Sequence, residues 1–179
     1  MVEAHTPTPP AAAPVEVTST LPAIAADGIE CPQHVGIVGL GLIGGSLAVR
    51  LRSAGCAVSA WNHRAHPYET AARIGIECKD TLEELVEAQP DVLVLCNPLV
   101  AMPKILQTIK PIIDPARTTL TDVGSVKTAI HEAVREAGLE ESFIGGHPMA
   151  GSERVGFANS KATLLENAYY ILTPTALVS

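Results

Sequence analysis

Residues 34–50 read HVGIVGLGLIGGSLAVR and join an apolar strand, a glycine turn and a helix without interruption. The strand, Val35 to Val38, is apolar on both faces, which is typical of parallel strands covered by helices on both sides. The helix that begins near Leu42 presents unpaired N–H groups and the positive end of its dipole to the turn. This order of elements is the one that a dinucleotide-binding fingerprint requires.

The glycines of this stretch form the pattern GxGxxG, with Gly39, Gly41 and Gly44 at its three fixed positions. The first glycine permits the tight turn, the second lets a pyrophosphate approach the backbone, and the third lets the helix pack on the strand. An ordinary glycine-rich turn is the alternative, but the flanking strand and helix favour cofactor binding. The predicted cofactor-binding residues here are Gly39, Leu40, Gly41, Leu42, Ile43 and Gly44.

The composition limits the class of protein. With 179 residues, 47% of them hydrophobic but only 3% aromatic, the chain is long enough for one domain with an aliphatic core. A net charge of −7 argues against binding to nucleic acid or to an anionic membrane. The four cysteines, Cys31, Cys56, Cys78 and Cys96, form no CxxC pair, so we expect no metal site and reduced thiols in a cytoplasmic protein. No apolar run is long enough to span a membrane.

The chain divides into a tail and a domain. Residues 1–33 are rich in Pro, Ala and Thr, and they are expected to form a disordered tail. Residues 34–175 alternate between strands and helices and are expected to form the dinucleotide-binding domain. This alternation predicts a doubly wound, mostly parallel α/β sheet of the Rossmann type. The predicted strands are 35–38, 57–61, 91–96, 118–123, 142–145 and 169–172. Two predicted helices begin near residues 42 and 80. Four more span residues 67–74, 100–113, 126–137 and 161–166.

The cofactor choice is expected to lie after the second strand, where NAD sites usually present a carboxylate to the ribose. The chain has Asn62, His63 and Arg64 there, so no carboxylate opposes a 2′-phosphate, and Arg64 with His63 offers charged donors to it. We therefore expect NADP rather than NAD. The alternative is that Arg64 only solvates a loop.

Two further strand ends face the expected cofactor. Cys96, Asn97 and Pro98 end a buried strand, and they are predicted to contact the middle of the dinucleotide, with Asn97 as a possible partner of a ribose. A generic strand exit explains them equally well.

The motif from Asp122 to Lys127 places Ser125 directly before a helix. Its hydroxyl is expected to cap the helix, and the same position lies beside the expected nicotinamide. Asp122 is interpreted as an orienting or strand-terminal residue. For Lys127 two interpretations stay open: it attracts a substrate carboxylate, or it is simply exposed.

One of the six histidines stands out by its neighbours. His147 lies between Gly146 and Pro148 in what is expected to be a loop, residues 145–151. A neutral imidazole accepts a proton near neutral pH, which is what oxidation of an alcohol requires. A structural histidine is the alternative.

Taken together, the glycine motif, the serine motif (residues 122–128), the sequence GGHPMAG at 145–151 and Leu172-Thr-Pro174 closely resemble the prephenate/arogenate dehydrogenase family of tyrosine biosynthesis. The resemblance covers about residues 34–175. It implies that His147 bonds the ring hydroxyl of the substrate and that Ser125 lies between substrate and nicotinamide. The implied reaction is oxidative decarboxylation of arogenate or prephenate with hydride transfer to NADP.

The resemblance also implies parts that this chain is not expected to contain. Family members continue into a helical domain that forms a homodimer and supplies an arginine to the substrate, and the sequence stops at Ser179. Two other hypotheses remain: a β-hydroxyacid dehydrogenase or imine reductase, which would not predict the HPMAG motif, and a non-catalytic NADP-binding module.

Overall fold

The computed structural model of the protein describes residues 32–175, so the tail expected at 1–33 lies almost wholly outside the described residues. A seven-stranded sheet forms the centre, with the strand order β3-β2-β1-β4-β5-β6-β7. Its strands are β1 (His34–Val38), β2 (Ala57–Trp61), β3 (Glu77–Cys78), β4 (Val92–Leu95), β5 (Thr119–Asp122), β6 (Phe143–Pro148) and β7 (Tyr170–Pro174). The α-helices are α1 (Leu42–Ser53), α2 (Tyr68–Arg73), α3 (Leu82–Glu87), α4 (Met102–Ile109) and α5 (Lys127–Ala137).

The strand pairing confirms the doubly wound fold. Every pairing from β3 through to β6 is parallel, and only the edge strand β7 runs antiparallel to its neighbour. The chain moves outward from β1 to β3 and then returns to β4 on the other side, which creates a switch point between β1 and β4. Ligands of such sheets bind beyond the carboxyl ends of the strands at this point.

Two layers of buried apolar side chains lie between the sheet and the helices, one on each face of the sheet. Leu93 and Leu120 belong to the layer that α3, α4 and α5 cover. Val58 and Val94 belong to the other layer, which packs against α1 and α2. Because neighbouring residues of a strand point to opposite faces, Leu93 and Val94 contribute to different layers. The near-continuous apolar strands of the sequence are therefore explained by burial on both sides.

Three of the predicted helix boundaries are confirmed: the glycine stops after α1 and α5 and the capped start of α3. Gly55 follows the end of α1 with φ +93°, and Gly138 ends α5 in the left-handed conformation with φ 65°. Thr81 caps α3, because its side chain accepts the N–H of Glu84 at 3.1 Å.

Two predicted helices differ in extent or type, and one short strand was not predicted. The helix expected at 100–113 is a 3₁₀ turn (Leu99–Ala101) followed by α4, which ends at Ile109. Pro111 explains the early end, because proline lacks the N–H that would continue the helical hydrogen bonds. The helix expected at 161–166 is a 3₁₀ helix, Ala162–Leu165. The two-residue strand β3 was not predicted, since it is too short to show a period.

The largest difference concerns β6. The prediction of a short strand followed by a loop at 145–151 is wrong, because β6 continues through His147 to Pro148. Gly145 and Gly146 suggested a loop, yet they are paired with β7 and leave no room for side chains. A Cβ on Gly146 would lie 2.7 Å from the hydroxyl of Tyr170. Both glycines therefore serve close packing within the sheet.

Candidate cofactor and substrate cleft

The three glycines of the fingerprint have different surroundings. Gly39 has φ +105°, and a Cβ there would lie 2.9 Å from the carbonyl oxygen of Cys96. A Cβ on Gly44 would overlap the carbonyl oxygen of Gly39 and lie 2.8 Å from the Cβ of Cys96. A Cβ on Gly41 would meet nothing within 4 Å. Packing inside the protein explains Gly39 and Gly44, whereas Gly41 borders open space.

The N-terminus of α1 opens onto that space. Gly41 is the N-cap, no side chain caps the helix, and the first turn carries no acidic residue. The first N–H groups of a helix have no intrahelical acceptor, so they are available to an anion. Leu42 and Ile43 line the adjoining cleft. Leu40 is only 2% exposed, so its side chain belongs to the core and only its backbone is near the site.

Asn62 connects the glycine turn with the loop after β2. Its Oδ1 accepts the N–H of Leu40 at 2.8 Å, and its Nδ2 donates to the carbonyl of Arg64 at 2.8 Å. Each end of this amide makes one of these bonds, so Asn62 fixes the loop after β2 against the glycine turn, and it also lines the cleft. His63 lines the cleft. The Arg64 side chain is exposed beside it and makes no ion pair within residues 32–175.

The segment after β4 forms the floor of the cleft. Burial, followed by the nearby Asp122 carboxylate, raises the pKa of the Cys96 thiol, so it stays protonated. The amide of Asn97 donates to the carbonyl of Pro98 at 3.0 Å. Its other end, Oδ1, is buried and has no hydrogen-bond partner among the described residues. A buried acceptor without a partner is costly, so this oxygen suits a donor supplied by a ligand.

The turn after β5 carries Ser125. The prediction that Ser125 caps α5 is wrong, because the N-cap is Val126 and no side chain caps this helix. The turn is held instead by Asp122, whose Oδ2 accepts the N–H of Gly124 at 2.7 Å. Ser125 is exposed, lines the cleft and makes no hydrogen bond within the described part of the chain. Its hydroxyl is therefore available to a bound molecule.

Asp122 and Lys127 form an ion pair beneath that turn. The Nζ of Lys127 lies 2.6 Å and 2.5 Å from the two carboxylate oxygens of Asp122, which is 0% exposed. The same Nζ donates to the carbonyl of Gly146 at 2.6 Å. With 19% of its side chain exposed, Lys127 is not the solvated residue considered from the sequence. The ammonium is engaged by the protein, and Lys127 is not among the residues that line the cleft.

His147 lies on β6 opposite Ile171 of β7 and contributes a half-buried ring to the cleft wall. The preceding residue, Gly146, donates its N–H to Oδ1 of Asp122 at 3.1 Å. Pro148 follows it within the strand. The backbone around His147 is thus fixed by sheet pairing and by one buried carboxylate.

A single cleft of about 1130 Å³ brings these elements together at the carboxyl ends of the strands. It is larger than an ordinary drug-sized pocket, as expected for a site that takes both a dinucleotide and a substrate. Leu40, Gly44 and Arg64 do not line it. The predicted residues that do are Gly39, Gly41, Leu42, Ile43, Asn62, His63, Cys96, Asn97, Pro98, Ser125 and His147.

Polar residues from α3 and α4 also line the cleft, and sequence reasoning missed them. Asp80, Thr81 and Glu83 belong to the start of α3, while Lys104 and Thr108 belong to α4. The sequence predicted the capped start of α3. Its position beside the cleft follows from the strand β3, and that strand was not predicted. Knowing that a strand precedes Asp80 would have placed this helix start at the carboxyl edge of the sheet.

Other classes of site find no support in the part of the chain that the structure describes. Between residues 32 and 175, no group of three or more His, Cys, Asp and Glu side chains is placed to hold a metal ion. None of the described helices is long and apolar enough to cross a membrane. Cys78 and Cys96 are free thiols, and burial raises the pKa of Cys78 to about 11.

The residues fit a dinucleotide on three observations: the open space at Gly41, the uncapped start of α1 and the unpartnered Oδ1 of Asn97. The fold and the cleft define a dinucleotide-binding domain of the Rossmann type. Residues 47–178 match the family described as prephenate dehydrogenase, nucleotide-binding domain. The chain therefore belongs to the prephenate dehydrogenase family.

Individual relatives agree with this assignment. A prephenate dehydrogenase of Lactococcus lactis subsp. cremoris is 35% identical over 142 residues, which cover 76% of this chain and 40% of the relative. The crystal structure of Synechocystis arogenate dehydrogenase has a TM-score of 0.73 at 34% identity and covers 82% of this chain and 51% of that one. The A. aeolicus prephenate dehydrogenase, solved in complex with hydroxyphenyl propionate and NAD⁺, has a TM-score of 0.75 at 30% identity. The match covers 86% of this chain and 54% of that one.

The chain spans about half the length of the relatives it matches, or less. More distant structures share only the fold. An imine reductase of Streptomyces aurantiacus is 22% identical with a TM-score of 0.59, covering 66% of this chain and 42% of its own. The hypothesis of an imine reductase or β-hydroxyacid dehydrogenase is therefore not favoured.

Proposed function

We propose that this chain forms the cofactor-binding part of an NADP-dependent dehydrogenase that oxidises and decarboxylates arogenate or prephenate. The observation that carries the proposal is the single cleft in which the glycine turn, Ser125 and His147 meet. A module that only binds the cofactor has no need for a half-buried histidine and an unpaired serine hydroxyl beyond the nucleotide. Membership of the prephenate dehydrogenase family supports the same reaction.

The roles of the two residues follow from their chemistry. His147 accepts the proton of the ring hydroxyl as the carbon that bears it loses a hydride. The bound nicotinamide supplies the hydride acceptor. The new ketone is conjugated to the carbon that carries the ring carboxylate, so it takes up the electron pair released as CO₂ leaves. Ser125 donates or accepts a hydrogen bond at the same oxygen, and aromatisation makes the reaction irreversible.

The choice of NADP rests on the loop after β2. Asn62 replaces the acidic residue typical of NAD sites, His63 lines the cleft, and the exposed Arg64 follows it in the same loop, so both side chains offer donors to a 2′-phosphate. A charge-assisted hydrogen bond is worth about 1.5–3 kcal/mol, or about 10- to 150-fold in affinity. The Arg64→Ala variant should lose this much affinity for NADP and little for NAD. Equal losses for both cofactors would reduce Arg64 to a solvated loop residue.

The remaining parts of the enzyme are also proposals. We infer a helical domain beyond residue 179 that forms the dimer and supplies the substrate-binding arginine, in a cytoplasmic enzyme. The edge strand β7 supports such a domain, because Tyr170 and Leu172, which share one face of the strand, are 43% and 60% exposed. Apolar side chains on an edge strand favour a covering partner.

The test is turnover by the full-length protein with arogenate and with prephenate, each supplied with NADP and with NAD, followed by absorbance of the reduced cofactor. His147→Ala should lower kcat by about 10²- to 10⁴-fold, the usual contribution of a general base. The exposed His66, outside the cleft, provides the control variant His66→Ala. Tight NADP binding without turnover of either substrate would favour the module instead.

A further inference from the structure

Both backbone hydrogen-bonding groups of Gly146, the residue before His147, are bonded by one ion pair. The N–H of Gly146 donates to Oδ1 of Asp122 at 3.1 Å, and its carbonyl accepts from Nζ of Lys127 at 2.6 Å. Asp122 is 0% exposed, so water does not compete for these bonds. The orientation of the His147 backbone is therefore set by two side chains that do not themselves line the cleft.

The same carboxylate also holds the turn that carries Ser125. Oδ2 of Asp122 accepts the N–H of Gly124 at 2.7 Å, one residue before the serine. The two oxygens of a single carboxylate thus bond one backbone group beside Ser125 and one beside His147. Since those residues come from different strand ends, their separation depends on this shared anchor.

We propose that Asp122 and Lys127 are positioning residues, which fix Ser125 and His147 relative to each other for the reaction proposed above. The kinetic part of this inference rests on the proposed function, whereas the anchoring of Gly146 does not. Asp122 bonds both backbones, and Lys127 neutralises the buried carboxylate next to a site that receives an anionic substrate. Lys127 therefore acts through Asp122 and Gly146 and does not bind a substrate carboxylate.

The alternative role for Lys127 is unfavourable on electrostatic grounds. To contact a substrate, its ammonium would have to leave a carboxylate that no solvent reaches. Removing one partner of a buried ion pair leaves an uncompensated charge, which is strongly destabilising. The bond from Lys127 to the Gly146 carbonyl would be lost in the same step.

The experiment compares Lys127→Met with a matched control in the full-length protein. Lys79 forms an ion pair of 2.6 Å with Glu77, and its side chain is 22% exposed against 19% for Lys127, but Glu77 is 66% exposed; Lys79→Met therefore removes a lysine of similar burial that does not line the cleft and does not neutralise a buried carboxylate. A misplaced reacting group costs about 10²-fold in rate. Lys127→Met should therefore lower kcat about 10²-fold with KM nearly unchanged, and Lys79→Met should leave both unchanged.

Two further measurements keep the inference testable. Lys127→Arg preserves the charge and should recover part of the lost kcat, and it replaces Lys127→Met if that variant does not fold. Hydrogen exchange of the Gly146 amide, read by NMR without substrate, should be faster in Lys127→Met and unchanged in Lys79→Met. A raised KM with unchanged kcat, or unchanged exchange at Gly146, would overturn the inference. If the unmodified protein turns over neither substrate, the proposed function fails while the exchange experiment still decides the anchoring role.

Discussion

Gly41 and Gly44 belong to the same motif, yet the structure assigns them opposite sensitivities to an added methyl group. A Cβ on Gly41 meets no protein atom within 4 Å, and the residue has φ −85° and ψ −159°, an extended conformation open to other residues. Gly41→Ala should therefore change the free energy of unfolding by no more than about 1 kcal/mol, since alanine also restricts the unfolded chain. Its methyl group would project into the space assigned to the pyrophosphate.

We expect Gly41→Ala to weaken cofactor binding instead of lowering stability. Forcing an extra methyl group into a packed contact costs about 1–3 kcal/mol. At 1.4 kcal/mol for each factor of ten, that is about a 5- to 150-fold rise in the Kd for NADP. Gly44→Ala differs, because its Cβ would overlap the Gly39 carbonyl and press on Cys96 at 2.8 Å. Backbone cannot move aside as a side chain can, so we expect a loss of about 3 kcal/mol and a Tm lower by about 10 °C.

Calorimetric titration with NADP and thermal unfolding without cofactor separate the two effects. Gly41→Ala should unfold at the temperature of the unmodified protein and bind NADP weakly, whereas Gly44→Ala should unfold early. Unaltered NADP affinity in Gly41→Ala would refute the placement of the pyrophosphate at α1. Unaltered stability in Gly44→Ala would refute the packing argument.

Three further predictions test other contacts. Gly45→Ala should cost about 1–3 kcal/mol of stability, because its Cβ would collide with the Ser160 hydroxyl, and Ser160→Gly should restore part of the loss in unfolding experiments. Asn62→Ala should weaken NAD and NADP equally in titrations, since it releases the glycine turn and not a cofactor-specific group. Burial lowers the pKa of His34, so the unfolded chain binds its proton more readily than the folded chain does. The free energy of unfolding should therefore fall as the pH drops below about 6.5. In thermal scans at several pH values, His34→Gln should reduce this dependence of stability on pH.

The fold was predictable where the sequence contains repeated or punctuating signals. Apolar strands, the glycine turn and the stops at Gly55 and Gly138 are local features, and each is confirmed. Strand β3 was not predicted, because two residues are too few to show the alternating hydrophobicity of a strand. Its position nevertheless determines which helix start borders the cleft. The prediction is least accurate for elements that form because a neighbouring strand pairs with them, and whose own residues show no pattern.

The candidate site shows the same limit more sharply. Ser125 was expected to cap α5 because serine often caps helices, and the sequence alone does not reveal that Asp122 holds that turn. Lys127 looked exposed or substrate-binding because its partners lie on another strand as well as in its own motif. Residue types and strand ends identified which loops matter, but hydrogen bonds between loops decide which side chains remain available.

The strand character of residues 143–148 has a consequence for how the proposed base works. A histidine on a flexible loop would lose conformational freedom each time a substrate binds, and part of the binding free energy would be spent on that ordering. His147 is instead fixed by pairing with β7, by the Asp122 bond to Gly146 and by Pro148. The edge strand β7 therefore supports the strand that carries the proposed base, although none of its residues lines the cleft. Loss of the pairing between His147 and Ile171 would disorder the base without touching the cofactor, so damage to β7 should lower turnover while NADP affinity is preserved.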